Sequence, residues 1–444
     1  MSAGARRPAL RPGLLDRARH SGARRSALLV FAVLFVVYAA GVGMSSRAGS
    51  DLRPSEAHVL LSAESLISGG DFELSDEYVE RAWSDFYDGP LVSNALATDG
   101  RLTEVQGLGF PALLAPAYAL GGRIAVELML AAIAAIGFAL AASLGRRLVP
   151  DPWATGAALA VGLSPPAVIA ATSITPAATC ATLIAGAAVL ALRVRDEPRG
   201  KAAAGCAALL ALLPWIGPPA IPAGAIVAAA LLRWLRRRRR AWTGLVAIEI
   251  VFVSLLVWVT VNRNLFGGYT PYSASTLPDA PTGAADVGDY LERWPRLFGV
   301  LIDPQIGVLL YVPLLALAGV TLRSLWRRHH ERLPQAFPDE VGVEVAAGFL
   351  ATICAAAALT AVVLTPSLAG RFPGEPLVIA LPCAAALCAW ALRRHPRAGL
   401  ALALIGVALS AWTLVGVRLD DNAALSPVDG AVPWSVMGEG DALR

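Results

Sequence analysis

SALLVFAVLFVVYAAGVGM, residues Ser26–Met44, carries almost no ionisable group and no Asp, Glu, Lys, Arg or His. A bilayer core about 30 Å thick needs roughly 20 consecutive apolar residues in one helix, and this stretch has that length. Ahead of it stand Arg6, Arg7, Arg11, Arg17, Arg19, Arg24 and Arg25. A cleaved signal peptide would join such a basic region to a shorter apolar stretch and a small-residue cleavage site. Here the apolar stretch is long enough to span, so it is expected to be retained as the first transmembrane helix.

The same signature recurs outward from there. Ile124–Leu144 and Leu245–Val261 hold almost no charge. Hydrophobic residues make up 56% of the 444 positions and charged ones 16%, against about 25% charged in a soluble domain. The composition predicts an all-α polytopic membrane protein of about eleven transmembrane helices, with an extracytoplasmic first loop carrying interfacial helices.

Arginine placement gives the orientation, because Lys and Arg are retained on the cytoplasmic side. Clusters at Arg146–Arg147, Arg193–Lys201, Arg236–Arg240, Arg323–Arg332 and Arg393–Arg397 follow alternate apolar stretches. The loop from Ser45 to Gln106 instead carries twelve acidic residues against four arginines, and reads as external. The expected organisation is a basic cytoplasmic N-terminus over 1–25, a first span over 26–44 and an external loop with juxtamembrane helices over 45–121. A multi-helix domain over 122–417 follows, with external loops at about 263–305 and 365–376, and an external tail over 418–444. Within 45–121, GLGFPALLAPAYALG (107–121) is apolar but short and holds two prolines. It is expected to lie in the outer interface rather than span. The chain is placed in the cytoplasmic (inner) membrane as a multi-pass protein.

Cys180, Cys206, Cys354, Cys383 and Cys388 all fall inside predicted spans. That argues against a disulfide framework or a Cys-based metal site. No Walker loop, dinucleotide fingerprint or zinc motif is present, and no nucleic-acid partner is expected.

Chemistry concentrates in the first external loop. PSEAHVLLSAESLISGG (54–70) has helix punctuation, with Ser55 expected as the N-cap and Gly69-Gly70 as the stop. At about 100° per residue, Val59, Leu60, Ala63, Leu66 and Ile67 share a face, and Glu56 falls near its middle. His58 points almost the other way. A carboxylate against the membrane domain is costly unless it has a partner or a task; the alternative is that Glu56 complements the helix dipole in the first turn. Asp71, Glu73, Asp76 and Glu77 could bind a divalent cation, although a solvated acidic loop suits them better. Glu249 lies inside the seventh span, where an acid signals function or, the favoured reading, a hydrogen bond to a neighbouring helix. The pentad Arg236–Arg240 reads as a cytoplasmic stop that contacts anionic lipid.

Several stretches, in order, resemble the GT-C superfamily of membrane glycosyltransferases, particularly its mannosyltransferase-like and uncharacterised bacterial branches. Ser55-Glu56-Ala57-His58-Val59-Leu60-Leu61 resembles the acidic motif that opens the family's first external loop. GGDFELSDEY (69–78), GLGFPALLAPAYALGG (107–122), NRNLFGGYTPYS (262–273) and LFGVLIDPQIGVLLYVPLLALAGV (297–320) are similar to successive family segments, and Gly370-Arg371 to the Gly-x-Arg before a late helix. The resemblance implies sugar transfer from a polyprenyl-phosphate donor, at the outer face, to a glycan, lipid or protein acceptor. It implies a first-loop carboxylate, Glu56 or Asp51, as general base or ligand of a divalent cation. Arg371 and Arg263, with Arg293 and Arg296 behind them and His58 nearby, would hold the donor phosphate, which guanidinium matches bidentately.

The chain departs from the pattern at Ser55, where the family usually has Asp before Glu; Pro54 keeps Asp51 from taking that place. The family's His-Pro-Pro element is reduced to Gly109-Phe110-Pro111. Two alternatives therefore stand beside the enzyme: an inactive relative with a cell-envelope role, and a transporter of a lipid-linked substrate.

Overall fold

The computed structural model describes residues 12–44, 52–95, 97–275, 293–303, 306–331, 338–364 and 374–419. Asp51 and Arg371 lie outside the described residues. The first apolar stretch forms α1 (Pro12–Ala39), which starts well before the span and carries the second half of the basic segment as helix. The external loop contributes α2 (Pro54–Ser68) and α3 (Ser75–Glu80).

α4 (Gly109–Gly145) is two helices joined at a break, where Gly121 leaves helical geometry and Gly122 takes a φ of 60°. The left-handed value needs glycine, and it sets the boundary between the juxtamembrane helix and the span that the sequence predicts. α5 (Trp153–Gly162) and α6 (Pro165–Thr172) form a pair bent by 62°, with Pro165 opening α6. Then come α7 (Pro176–Asp196), α8 (Gly200–Ile216), α9 (Ile221–Arg237) and α10 (Ala241–Phe266). α11 (Arg296–Ile302) and α12 (Val308–Tyr311) are short; α13 (Leu314–Glu331), α14 (Pro338–Leu364), α15 (Leu381–Arg394) and α16 (Pro396–Leu419) complete the chain. No β-strand occurs among the described residues, only the isolated bridges Ala95–Ser275 and Thr98–Arg101.

Among the described residues, eight helices are long and apolar enough to cross a membrane, nine if the bent pair counts as one span; Gly200–Ile216 and Leu314–Arg323 are shorter apolar helices. The multi-pass architecture is therefore as expected, while the count of eleven is not reached on length and hydropathy.

α4, α7 and α15 form the centre, and α1, α10 and α16 the lipid-facing periphery. Small residues permit the close central packing, as is usual where apolar helices meet in lipid. A Cβ on Gly137 of α4 would stand 2.5 Å from Thr182 Oγ1 of α7, and that hydroxyl donates to the Ile133 carbonyl at 2.9 Å. Tyr38 donates to the Gly162 carbonyl at 2.7 Å, tying α1 to α5.

α10 packs through Ala247, Ser254, Trp258 and Asn262, at helical spacing, with Ser254 accepting from Trp215 at 3.0 Å. Glu249 sits about 200° around the helix from Ala247 and is exposed. It does not bond a neighbouring helix as expected, because α10 is covered on one side only.

The arginine-rich helix ends gather on one side. Ser26 and Arg146 both reach Asp151, Arg147 pairs with Asp196, and Arg195 donates to the Gly342 carbonyl at 3.0 Å. The first loop packs at the opposite side.

Candidate functional site

α2 begins two residues earlier than its sequence suggests. Arg53 is the N-cap, Pro54 occupies the first helical position, and Ser55 lies exposed in the first turn. Proline needs no hydrogen-bond partner for its missing N–H there, so it displaces Ser55 from the cap. The helix stops as predicted: the Gly69 amide donates to the Ser65 carbonyl at 2.8 Å, and Gly70 adopts a φ of +79°.

Both faces of α2 are covered. Val59, Leu60 and Ala63 pack into the core, and so do Leu61, Ser62 and Ser65. The second cover is the irregular segment 91–106, with Leu91, Ala95, Thr103, Glu104 and Val105 buried. It is pinned at Leu74 N–H to the Leu102 carbonyl (2.9 Å) and at Leu102 N–H to Glu73 Oε1 (3.0 Å).

Glu56 is 1% exposed. Its Oε2 accepts the Arg53 amide at 2.9 Å and lies 3.7 Å from Arg53 Nε. Its Oε1 accepts the Ile174 amide at 3.0 Å, from the turn between α6 and α7. Arg53 also reaches Glu375, just ahead of α15, at 3.5 Å. One carboxylate and one guanidinium therefore join the first loop, the α6–α7 turn and the approach to α15.

A second buried acid lies within electrostatic reach of the first. Glu127, in α4 just beyond the glycine break, takes Arg123 Nε at 2.6 Å on one oxygen and the Gly43 amide at 2.7 Å on the other. Arg123 also donates to the Met44 carbonyl at 3.4 Å. Sequence reading passes over both residues, since the apolar run around them dominates any hydropathy average. The signal was present: an acid inside a span, with an arginine four residues ahead on the same helix face.

His58 points away from Glu56, as its helical position predicts. It is fully buried beneath segment 91–106, with Nδ1 at 3.3 Å from Asn94 Nδ2 and 3.9 Å from Glu104 Oε2. Burial pulls its pKa below the usual histidine value, and Glu104 and the Val92 carbonyl oppose that. Glu104 accepts from Tyr78 at 2.6 Å. Tyr78, Asn94 and Glu104 have no sequence signature, since the network forms only when 91–106 closes on α2.

Of the remaining candidates, Arg293 and Arg296 are neighbours. Arg263 is exposed at the end of α10. Arg293 is 6% exposed and donates to the Val363 carbonyl at 2.9 Å, at the last turn of α14. Burial and the neighbouring Arg293 lower the pKa of Arg296. The acids expected to solvate the loop instead tie it together: Asp71 accepts from the Glu73 amide at 3.1 Å and Glu73 from Ser75 Oγ at 2.5 Å. Burial, then the hydrogen bond to Asp76, pushes Glu77 up to about 7. Among the described residues no three His, Cys, Asp or Glu side chains stand together to hold a metal ion.

No family model matches the chain, and no curated protein matches it in sequence. Solved structures match its fold. ArnT from Cupriavidus metallidurans bound to undecaprenyl phosphate superposes with a TM-score of 0.52 at 16% identity, over 87% of this chain and 64% of that one. The apo structure of the same protein gives 0.49 at 17% identity over the same shares. This chain thus spans less than two thirds of the length of ArnT. The likeness shows that this chain shares the polytopic helical fold of ArnT.

Proposed function

We propose that this protein transfers a sugar from a polyprenyl-phosphate donor to an acceptor at the outer face of the bacterial inner membrane, with its N-terminus in the cytoplasm. The observation that carries the reading is a fold shared with a protein crystallised with undecaprenyl phosphate. Its first loop holds a buried acid at the meeting point of three segments.

In this reading the acceptor hydroxyl attacks the anomeric carbon as the bond from that carbon to the phosphate oxygen breaks. Polyprenyl phosphate leaves with the bonding pair, and the hydroxyl proton passes to a first-loop carboxylate. Glu56 is the residue proposed for that role, with Asp51 as its alternative. Two amide bonds fix the Glu56 carboxylate at the base of the first loop. Arg371 and Arg263 are proposed to hold the departing phosphate, with Arg296 adding positive potential nearby. His58 and Arg293, both buried and engaged with their own segments, support the site in this scheme rather than touch the donor.

A second reading has a specific observation behind it. Two backbone amides on the carboxylate, and an exposed serine where the family carries an acid, suit a catalytically silent relative in which Glu56 is a capping residue. Label transfer from polyprenyl-phosphate sugars in membranes separates the two. The enzyme reading expects transfer by wild type and its loss in Glu56→Gln; equal transfer by both removes Glu56 from the chemistry.

A further inference from the structure

On the arginine-rich side, α9 ends in a feature that sugar transfer does not use. At about 100° per residue, Ala225, Ala229, Leu232, Arg233, Arg236 and Arg237 fall on one face of α9. The opposite face, with Val227, Leu231, Trp234 and Leu235, is buried in the bundle. Ala229, Leu232, Arg233, Arg236 and Arg237 line an open notch on the outer surface of α9. Its upper wall is apolar and its lower wall is three guanidinium groups.

Among the described residues, three acids on this side pair with other arginines. Asp196 pairs with Arg147, Glu197 with Arg199 and Asp151 with Arg146. The guanidinium of Arg238 turns aside to the Arg195 carbonyl at 3.2 Å. Arg233, Arg236 and Arg237 make no ion pair among the described residues, and all three are exposed. Above them Ala225 and Ala229 are exposed too, leaving a shallow apolar strip that runs along α9 toward the middle of the span.

We propose that this notch binds one anionic phospholipid of the adjoining leaflet. Its phosphodiester sits among Arg233, Arg236 and Arg237, and an acyl chain lies along the Ala225–Ala229 strip. A stop signal needs only positive charge near a helix end. Here three guanidiniums with no ion pair among the described residues stand on the same exposed helix face as Ala225 and Ala229, which matches the two-part chemistry of a phospholipid. Guanidinium also binds phosphate oxygens in a planar fork that ammonium cannot reproduce.

The test is native mass spectrometry of the detergent-purified full chain, exchanged against phosphatidylglycerol or phosphatidylcholine. Wild type is expected to retain one phosphatidylglycerol and no phosphatidylcholine. R233Q/R236Q/R237Q is expected to lose that affinity by about a hundredfold. R233K/R236K/R237K, which keeps the charge that directs insertion, is expected to lose about tenfold. R393Q/R394Q/R397Q, at another arginine cluster, is expected to bind as wild type does. Equal retention by the lysine variant and wild type overturns the proposal in favour of diffuse charge, even if the glutamine variant fails to insert. An equal loss from the Arg393 cluster also overturns it, as does displacement of the lipid by millimolar inorganic phosphate, which would make this a site for the free anion.

Discussion

Replacing Glu56 tests the junction at the base of the first loop independently of any activity. In Glu56→Ala the Ile174 amide loses its acceptor where Ile174 is 2% exposed, so the N–H stays dry and unpaired, at about 1–3 kcal/mol. The Arg53 amide also loses its acceptor, but Arg53 is 16% exposed, so water replaces the bond at about 0.5–1 kcal/mol. The total is about 2–4 kcal/mol. Glu56→Gln keeps one carbonyl acceptor and turns an NH₂ toward the other amide, so it costs about half as much. Thermal unfolding of the purified protein in detergent reads this directly, because Cys180, Cys206, Cys383 and Cys388 are buried and react with a thiol dye only as the bundle opens. At roughly 2 °C per kcal/mol for a chain of this size, alanine lowers Tm by about 4–8 °C and glutamine by about 2–4 °C. Wild-type Tm in both variants refutes the two amide bonds, and with them the placement of the loop on the α6–α7 turn.

Three further predictions rest on other parts of the structure. Glu127→Ala leaves Arg123 beside an empty buried site and costs about 3 kcal/mol; because the two share one ion pair, the Arg123→Met/Glu127→Ala double variant costs less than the sum of the singles, and a simple sum in the thermal assay contradicts the pairing. Glu77, held up at about 7 by burial and the hydrogen bond to Asp76, binds its proton more tightly folded than unfolded, so the stability of α3 falls as pH rises from the ordinary glutamate range, about 4.5, to about 7. Hydrogen exchange across α3 is expected to show that slope in wild type and a flat profile in Glu77→Gln; identical profiles refute it. Gly137→Ala drives a Cβ to 2.5 Å from Thr182 Oγ1 and is expected to cost about 1–3 kcal/mol through overpacking between α4 and α7, read as a fall in Tm that Gly156→Ala, with open space around it, does not show.

The membrane-spanning architecture was legible because its signals are local. Arginine clusters bracket the apolar runs, Gly121-Gly122 breaks α4 where the prolines and short length foretold, and Gly69-Gly70 stops α2. Long-range covering was not legible. Segment 91–106 has no periodicity, so nothing in it announces that it buries the second face of α2 and closes over His58 and Glu104. The cap fell on Arg53 rather than Ser55 because proline at the first helical position overrode the serine preference. Glu249 shows the same limit from the other side: a span identifies an intramembrane acid, but only packing decides whether it faces protein or lipid. The burial of Glu56 followed from its apolar face, whereas its partner Ile174, and the Glu375 that Arg53 reaches, both more than a hundred residues away, could come only from the fold.

The most direct measurement reconstitutes wild type into proteoliposomes with a panel of polyprenyl-phosphate sugars and follows the release of free polyprenyl phosphate. The account predicts that one donor class is consumed, with sugar label appearing in an acceptor in equal amount. A folded, thermally stable protein that leaves every donor intact would contradict it.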